Sequence, residues 1–187
     1  MIDRLMETED IVLRKGVFDD WRDLFKNVLS RDESAEYMLW KPIHDEEHAM
    51  KNARKMIKFQ RDHDSWLVYE KSSGEAIGWA GVEEVEQSVS EDNIQQDNVW
   101  KDTGIVIGTD FTGRGYGKQL LQCLISYVFD IKKADKMIYS CRSKNEAARA
   151  LCRSLGFVYT DCETKTDPGK GERYILEYYE LKRKHLE

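Results

Sequence analysis

The chain has 187 residues, of which 41% are hydrophobic and 34% charged, a composition that predicts one globular domain over 1–187. The net charge of −6 argues against a general nucleic-acid binder, which needs a basic surface. No apolar run approaches the roughly 20 residues that span a bilayer, and the first ten residues lack the apolar core of a secretory signal. We therefore expect a cytoplasmic protein that binds neither membranes nor nucleic acid.

The first half of the chain predicts a strand, two helices and a hairpin. Residues 11–16 form the strand, and Asp19 or Asp20 can cap the helix that follows. That helix carries apolar residues at helical spacing, namely Trp21, Leu24, Phe25, Val28 and Leu29. Asp45 opens a second helix, with Ala49, Ala53, Met56, Ile57 and Gln60 on its inner face. Residues 66–69 and 76–82 are strands joined by a turn at 71–74.

The second half alternates strands with single helices. An acidic stretch at 83–97 reads as a loop or weak hairpin extension and is followed by a strand at 100–109. Next come a helix to about Asp130, a strand at 137–141 and a short helix at 145–155. The short helix ends at Gly156, and its inward-facing residues are Ala147, Ala148, Leu151, Cys152 and Leu155. A strand beginning at 157–159, a turn at 167–171 and a strand at 174–181 complete one mixed α/β sheet with helices on both faces.

Metal and dithiol sites find little support in the sequence. His44 and His48 are four residues apart, but an H-E-x-x-H zinc motif needs Glu where the chain has Asp45, and no third ligand is evident. A capping or solvated role is the alternative for these histidines. None of the four cysteines lies in a C-x-x-C pair, so we expect no metal.

The stretch at 105–118 combines a β-branched strand, three alternating glycines and the start of an amphipathic helix. Such a turn aims backbone N–H groups and a helix N-terminus at one point, which suits a phosphate. Arg114 and Lys118 would add positive charge. A P-loop would need glycine in place of Thr112 and Ser or Thr in place of Gln119. A dinucleotide-binding motif would need glycine at 118 or 120, where the chain has lysine and leucine. The loop therefore either binds a phosphate of another kind of ligand or is an ordinary glycine-rich connection.

Two segments together resemble the GNAT N-acetyltransferase superfamily. Gly-Arg-Gly-Tyr-Gly-Lys at 113–118 is similar to its acetyl-CoA pyrophosphate loop, Q/R-x-x-G-x-G/A. Asn145 to Phe157 resembles its second motif, N-x-x-A-x-x-L-Y-x-x-x-G-F. The opening of the chain and Trp-Lys-Pro-Ile at 40–43 are similar to the branch of ribosomal-protein N-terminal acetyltransferases. The resemblance implies a mostly antiparallel sheet of six to seven strands with a splayed central pair.

The resemblance also implies a cofactor site. The pantetheine arm of acetyl-CoA would pair with the backbone of Ile105, Val106 and Ile107, and Asn145 would bind near that arm. The pyrophosphate would lie on the N–H groups of Gly113, Arg114, Gly115, Tyr116, Gly117 and Lys118. The chain departs from the family at Thr112, at Ser140 and at Cys152. Cys152 stands where many members have a Tyr that protonates the departing thiolate, so the resemblance implies that Cys152 lies at the cofactor.

The implied reaction is acetyl transfer to a primary amine of a small molecule or protein N-terminus, by direct attack in a ternary complex. Ile107 is the candidate N–H donor to the oxyanion, and Glu83, Glu84 or Asp102 the candidate base. The acidic stretch would favour a cationic acceptor, although a solvated loop explains it equally well. A non-catalytic acyl-CoA-binding or partner-binding domain of the same fold is the alternative, and a homodimer is left open.

Overall fold

One sheet organises the protein, and the computed structural model describes it over residues 6–86 and 97–183. Eight strands lie within those residues, in the spatial order β1-β2-β3-β4-β5-β6-β8-β7. The strands are β1 (Met6–Glu7), β2 (Ile11–Arg14), β3 (Ser65–Glu70), β4 (Ala76–Glu84), β5 (Val99–Ile107), β6 (Lys136–Arg142), β7 (Val158–Thr166) and β8 (Arg173–Lys182). The sheet has one strand more than the six to seven expected. The extra strand is β1, whose two residues give no periodic signal.

Helices cover both faces of the sheet, as predicted. They are α1 (Trp21–Leu24), α2 (Glu46–Asp62), α3 (Tyr116–Ser126) and α4 (Glu146–Ser154). A π-helical turn extends α1 at Phe25–Leu29, and a second one extends α3 at Tyr127–Ile131. Asp45 caps α2 as expected, because its carboxylate accepts the His48 N–H at 2.7 Å. Within the described chain, no helix is both long and apolar enough to cross a membrane.

Two hydrophobic clusters lie on opposite faces of the sheet. One packs Leu120, Leu121 and Leu124 of α3 against strand residues such as Ile77 and Ala80. The other packs Leu24 and Val28, with Leu29, against Leu67, Tyr69 and Val106. The predicted inner face of α4 is right for Cys152, Ala148, Leu151 and Leu155 but wrong for Ala147, which is exposed. Ala147 lies at the outer edge of that stripe, because a helix turns by about 100° per residue.

The centre of the sheet splits between β5 and β6, the one parallel neighbour pair among the described strands. Their register contains only Val99↔Lys136, Trp100↔Met137 and Lys101↔Ile138. Beyond these pairs β5 continues to Ile107 and β6 to Arg142 without pairing to each other. The expected splayed central pair is therefore present, and we call the space between these strand ends the wedge.

Candidate functional site

The wall of the wedge formed by β5 exposes unpaired backbone groups. The Gly108 N–H donates to the Ile77 carbonyl of β4 at 2.8 Å, so by strand alternation Val106 also turns its backbone towards β4. A Cβ on Gly78 would lie 2.0 Å from the Val106 carbonyl oxygen, which confirms that orientation. Ile105 and Ile107 therefore point their N–H and carbonyl groups into the wedge. Of the three residues expected to pair with a cofactor arm, Val106 cannot do so through its backbone.

Asp102 closes the narrow end of the wedge. Its Oδ1 accepts the Ser140 N–H at 2.8 Å and lies 3.3 Å from the Ser140 hydroxyl, at the first position where the two strands no longer pair. Burial raises the pKa of this carboxyl from its ordinary 3.8 to about 6, against the opposing hydrogen bonds from Ser140. A carboxyl with such a pKa is ionised at neutral pH yet basic enough to accept a proton.

A β-bulge beside Asp102 is a feature that the sequence reasoning missed. In the register of β4 with β5, Gly81 faces Gly104 and Val82 faces Asp102, which leaves Thr103 without an opposite residue. Gly104 has a φ of 124°, which favours glycine. A glycine inside a predicted strand is the usual signal of a bulge, and the Thr-Gly pair at 103–104 could have indicated this one. The bulge bends β5 where it leaves β6.

The glycine loop lies at the wide end of the wedge. Gly113 and Gly115 have φ angles of 75° and 83°, and a Cβ added to either would meet no atom within 4 Å. The loop surface is therefore open, and α3 begins directly behind it with the free N–H groups of its first turn. The Lys118 N–H is the exception among the predicted phosphate donors, because it already donates to the Gly115 carbonyl at 3.1 Å.

Side chains of the loop hold it to β3. Arg114 Nη1 lies 3.2 Å from Glu70 Oε1, and the Tyr116 hydroxyl donates to the same oxygen at 2.7 Å. Glu70 is only 6% exposed, and the Tyr116 hydrogen bond lowers its pKa. The charge of Arg114 is therefore largely compensated by Glu70, so backbone groups and Lys118 remain as the main attraction for an anion.

Asn145 and Cys152 both belong to α4. The Asn145 side-chain oxygen accepts the Ala148 N–H at 3.0 Å and so caps the helix, while its amide group keeps the predicted role near a cofactor arm. Cys152 has no exposed surface, and its thiol donates to the Arg149 carbonyl at 3.3 Å. Burial raises the pKa of Cys152 to about 11, so the thiol is a poor nucleophile at neutral pH. Its predicted contact with the cofactor stays a prediction that the burial does not favour.

The structure separates the three candidate bases. Glu83 and Glu84 end β4, opposite Lys101 and Trp100, where β5 is still paired with β6. Both glutamates are exposed, and Glu83 forms an ion pair of 3.0 Å with Lys101. Asp102 alone of the three borders the wedge. Residues 87–96 of the acidic stretch lie outside the described residues.

A cavity of about 630 Å³ opens beyond the carboxyl end of β6. One wall comes from Glu36 and Tyr37, which follow the turn at Glu33–Ala35. That turn is tied to the end of β5, because the Ser34 hydroxyl lies 3.0 Å from that of Thr109. The other walls come from the end of β6 and the β7–β8 hairpin. Its lining is Glu36, Tyr37, Arg142, Ser143, Lys144, Thr164, Lys170, Glu172, Arg173, Tyr174 and Ile175. The carboxyl edge of a parallel strand pair is a usual place for ligands, but this grouping has no signal along the chain.

The two histidines take other partners. His44 Nε2 lies 3.4 Å from an Asp32 carboxylate oxygen, and both side chains are largely exposed. His48 begins the capped end of α2. In residues 6–86 and 97–183 no cluster of three His, Cys, Asp or Glu side chains could hold a metal ion.

Comparisons with known proteins identify this architecture. A family model described as "Acetyltransferase (GNAT) domain" matches residues 10–158. Comparison with the curated proteins gives no significant match.

Three solved structures illustrate the structural similarity. The acetyltransferase (GNAT family) from Bacillus anthracis is 17% identical over 97% of this chain and 99% of its own, with a TM-score of 0.76. The acetyl transferase from Salmonella typhimurium that modifies the N-terminal serine of a 50S ribosomal subunit protein is 17% identical over 96% of this chain and 99% of its own, with a TM-score of 0.71. A ribosomal-protein alpha-N-acetyltransferase in complex with coenzyme A is 18% identical over 96% and 98%, with a TM-score of 0.73.

The neighbours establish a shared fold, and ribosomal-protein acetyltransferases are among the proteins that have it. The family model covers most of the chain, including the wedge and the glycine loop. The chain therefore belongs to the GNAT acetyltransferase family.

Proposed function

We propose that the protein transfers the acetyl group of acetyl-CoA to a primary amine by direct attack in a ternary complex. The observation that carries this proposal is the wedge, which is open on the backbone of Ile105 and Ile107 and leads from Asp102 to the glycine loop. An extended amide-containing arm fits such a strand edge, and a pyrophosphate fits the helix N-terminus beyond it.

Residues of this chain fit acetyl-CoA along the whole wedge. Gly113, Gly115 and the first N–H groups of α3 would hold the pyrophosphate, because no side chain blocks their approach. Ile105 and Ile107 would pair with the pantetheine amides. Bound acetyl-CoA supplies a thioester, which is an activated acetyl group.

We propose the Ile105 N–H, rather than the predicted Ile107 N–H, as the donor to the acetyl oxygen. Both groups point into the wedge, but Ile107 lies nearer the glycine loop and Ile105 nearer Asp102. With the pyrophosphate at the loop, the thioester end extends towards Asp102. A backbone donor fixed at that point stabilises negative charge without reorganising during the reaction.

Asp102 is the proposed proton acceptor. A protonated amine has a pKa of about 10 and cannot attack until it loses a proton. Asp102 borders the narrow end of the wedge and has a pKa of about 6, whereas Glu83 and Glu84 are exposed on the paired part of the sheet. A water molecule between amine and carboxylate would be sufficient for the transfer.

The cavity beyond β6 is the proposed acceptor site. Continued from Lys101↔Ile138, the parallel register of β5 and β6 sets Arg142 of the cavity lining level with Ile105, so an amine held in the cavity could reach an acetyl group at Ile105. Separate spaces for the two substrates support their simultaneous binding. They also support direct transfer without a covalent enzyme intermediate, for which the buried Cys152 thiol is poorly suited.

The release of free thiol from acetyl-CoA tests this proposal. We expect release that depends on an added amine, across a panel that includes polyamines, aminoglycosides and peptides with a free N-terminal serine. Coenzyme A binding with no thiol release for any amine would overturn the enzyme proposal. That outcome would favour the non-catalytic acyl-CoA-binding alternative, to which the absence of Tyr at position 152 points.

A further inference from the structure

We infer that the acceptor carries a carboxylate close to its reactive amine; the inference rests on the proposed function, because it treats the cavity beyond β6 as the acceptor site. The evidence is the charge of the cavity lining. This lining contains four cationic side chains but only two acidic ones. The whole chain has a net charge of −6, so a cavity with an excess of cations differs from the average surface.

One of the four cations is structural. Arg142 Nη2 lies 2.7 Å from Asp167 Oδ2 and also donates to the Met38 carbonyl at 3.1 Å. The guanidinium group lies 4.1 Å from the centre of the Tyr174 ring. The Asp167 side chain is only 2% exposed and that of Arg142 11%. The charge of Arg142 is therefore compensated within the protein and is not available to a ligand.

The other three cations have no carboxylate partner in the described parts of the chain. Lys144 follows β6, while Lys170 and Arg173 lie in the turn between β7 and β8 and at the start of β8, so positive charge comes from two walls. Of the two acids, Glu36 is exposed and raises the pKa of the neighbouring Tyr37, and it keeps its negative charge. Neither Glu36 nor Glu172 forms an ion pair within the described residues.

The cations are held by an ordered turn. Asp167 Oδ1 accepts the N–H groups of Gly169 at 2.9 Å and Lys170 at 3.1 Å. The Asp167 N–H donates to the Glu172 carbonyl, and the Gly171 N–H donates to the Asp167 carbonyl, both at 2.8 Å. These bonds fix the backbone that presents Lys170 and Arg173 to the cavity.

Three unpaired cations and two unpaired acids complement a zwitterion: Glu36 or Glu172 can attract the ammonium group, and the more numerous cations attract the carboxylate. The volume of about 630 Å³ falls within the range of about 300–1,000 Å³ for small-ligand sites, which accommodates a few amino-acid residues. An amine such as a peptide N-terminus with an acidic residue next to it meets both conditions. This inference opposes the cationic acceptor that the acidic stretch favours.

A matched peptide series tests the charge preference. Three amidated peptides, Ser-Glu-Ala, Ser-Gln-Ala and Ser-Lys-Ala with a trimethylated lysine side chain, differ in the charge beside the reactive N-terminal residue and have one primary amine each. Thiol release measures kcat/KM for each, and calorimetry with coenzyme A present measures binding without turnover. We expect the Glu peptide to exceed the Lys peptide by about tenfold in both measurements, which corresponds to about 1.4 kcal/mol.

Charge reversal assigns the preference to the cavity. Lys170→Glu and Arg173→Glu should each reduce the advantage of the Glu peptide about fivefold, with an unchanged KM for acetyl-CoA. Lys182→Glu is the control, because Lys182 is exposed at the opposite end of β8 from Arg173. It should leave the preference unaltered.

Two results would overturn the inference and leave the acetyltransferase proposal standing. One is turnover that favours the Lys peptide or a polyamine. The other is a rise in the KM for acetyl-CoA alone in the two variants, which would assign the cations to the cofactor. If no peptide releases thiol, the enzyme proposal fails separately, and the calorimetric preference for the Glu peptide still decides the charge of the ligand.

Discussion

Asp102 joins structure and chemistry at the scale of a single residue. Its carboxylate accepts the Ser140 N–H at the point where the β5–β6 ladder stops, so it satisfies a donor that the split would leave unpaired. Burial in the same place raises its pKa to about 6. The position that ends the ladder is thus also the position best suited, among the three candidate acids, to accept a proton.

Replacing Asp102 by Asn tests the base. Asn keeps a side-chain oxygen for the Ser140 N–H but cannot accept a proton at neutral pH. In the wild type we expect kcat/KM to rise with pH through about 6 as Asp102 ionises. In Asp102→Asn that rise should disappear and kcat should fall by about 10²–10⁴-fold. An unchanged pH profile, measured with the acetyl-CoA KM as a control for binding, would exclude Asp102.

At the scale of elements, the backbone conformations of two short segments shape the candidate site. The segments are the glycine loop and the turn between β7 and β8. The loop uses glycines in left-handed conformations to keep side chains away from the helix N-terminus. The turn uses one buried carboxylate to bind backbone N–H groups and a guanidinium group together. Both segments depend on a few short-range contacts, so a single substitution can disrupt one of them without affecting the other.

Gly115→Val tests the loop against a matched control. Gly115 and Gly74 both have positive φ angles, 83° and 74°, and a Cβ on either meets no atom within 4 Å. Valine should therefore strain both backbones similarly, by about 1–2 kcal/mol. Only Gly115→Val should weaken coenzyme A binding, by more than about tenfold, because its side chain fills the approach to the N–H groups. Equal affinities of the two variants in calorimetry would show that the pyrophosphate lies elsewhere.

Asp167→Asn tests the turn. The substitution leaves the Arg142 charge without its buried partner and should lower the free energy of unfolding by about 2–4 kcal/mol. The control is Glu47→Gln, which breaks an exposed pair with Lys51 and should cost no more than about 0.5 kcal/mol. Since Arg142 lowers the pKa of Asp167, the wild-type advantage should hold at neutral pH and shrink as the carboxylate protonates in acid. Denaturant unfolding at several pH values measures both effects, and a loss as small as that of Glu47→Gln would contradict the assigned role.

At the scale of the whole molecule, the wedge has a cost in stability. Asp102 binds its proton more tightly in the folded protein, where its pKa is about 6, than in the unfolded chain, where the ordinary pKa of 3.8 applies. Between pH 3.8 and about 6 the folded protein therefore holds more protons than the unfolded chain, so this group lowers stability as pH rises. Above about pH 6 the full cost is present.

The same Asp102→Asn variant measures that cost. The difference in unfolding free energy between variant and wild type should shift in favour of the variant by about 1–3 kcal/mol from pH 4 to pH 7. A comparison across pH cancels any constant loss of hydrogen bonding in the variant. A difference that does not depend on pH would show that the carboxyl titrates normally in the folded protein.

The sequence by itself determined most of the elements and the glycine loop of this protein. Those features are local: helical spacing defines α3, three alternating glycines define the loop, and Asn145 to Phe157 supplies a second motif within one helix and its stop. Among the strands and α-helices of residues 6–86 and 97–183, β1 was missed, because two residues show no period. The family followed from these local motifs, since their order along the chain is itself sequence information.

Only the tertiary structure decided which residues meet. Glu83, Glu84 and Asp102 are similar carboxylates in the sequence, but pairing places the first two on the closed part of the sheet and the third at the split. Strand alternation turned Val106 away from the wedge and left Ile105 and Ile107 facing it. The cavity joins residues more than 100 positions apart, such as Tyr37 and Arg142. Such contacts depend on register and on strand order, which local patterns of residues do not encode.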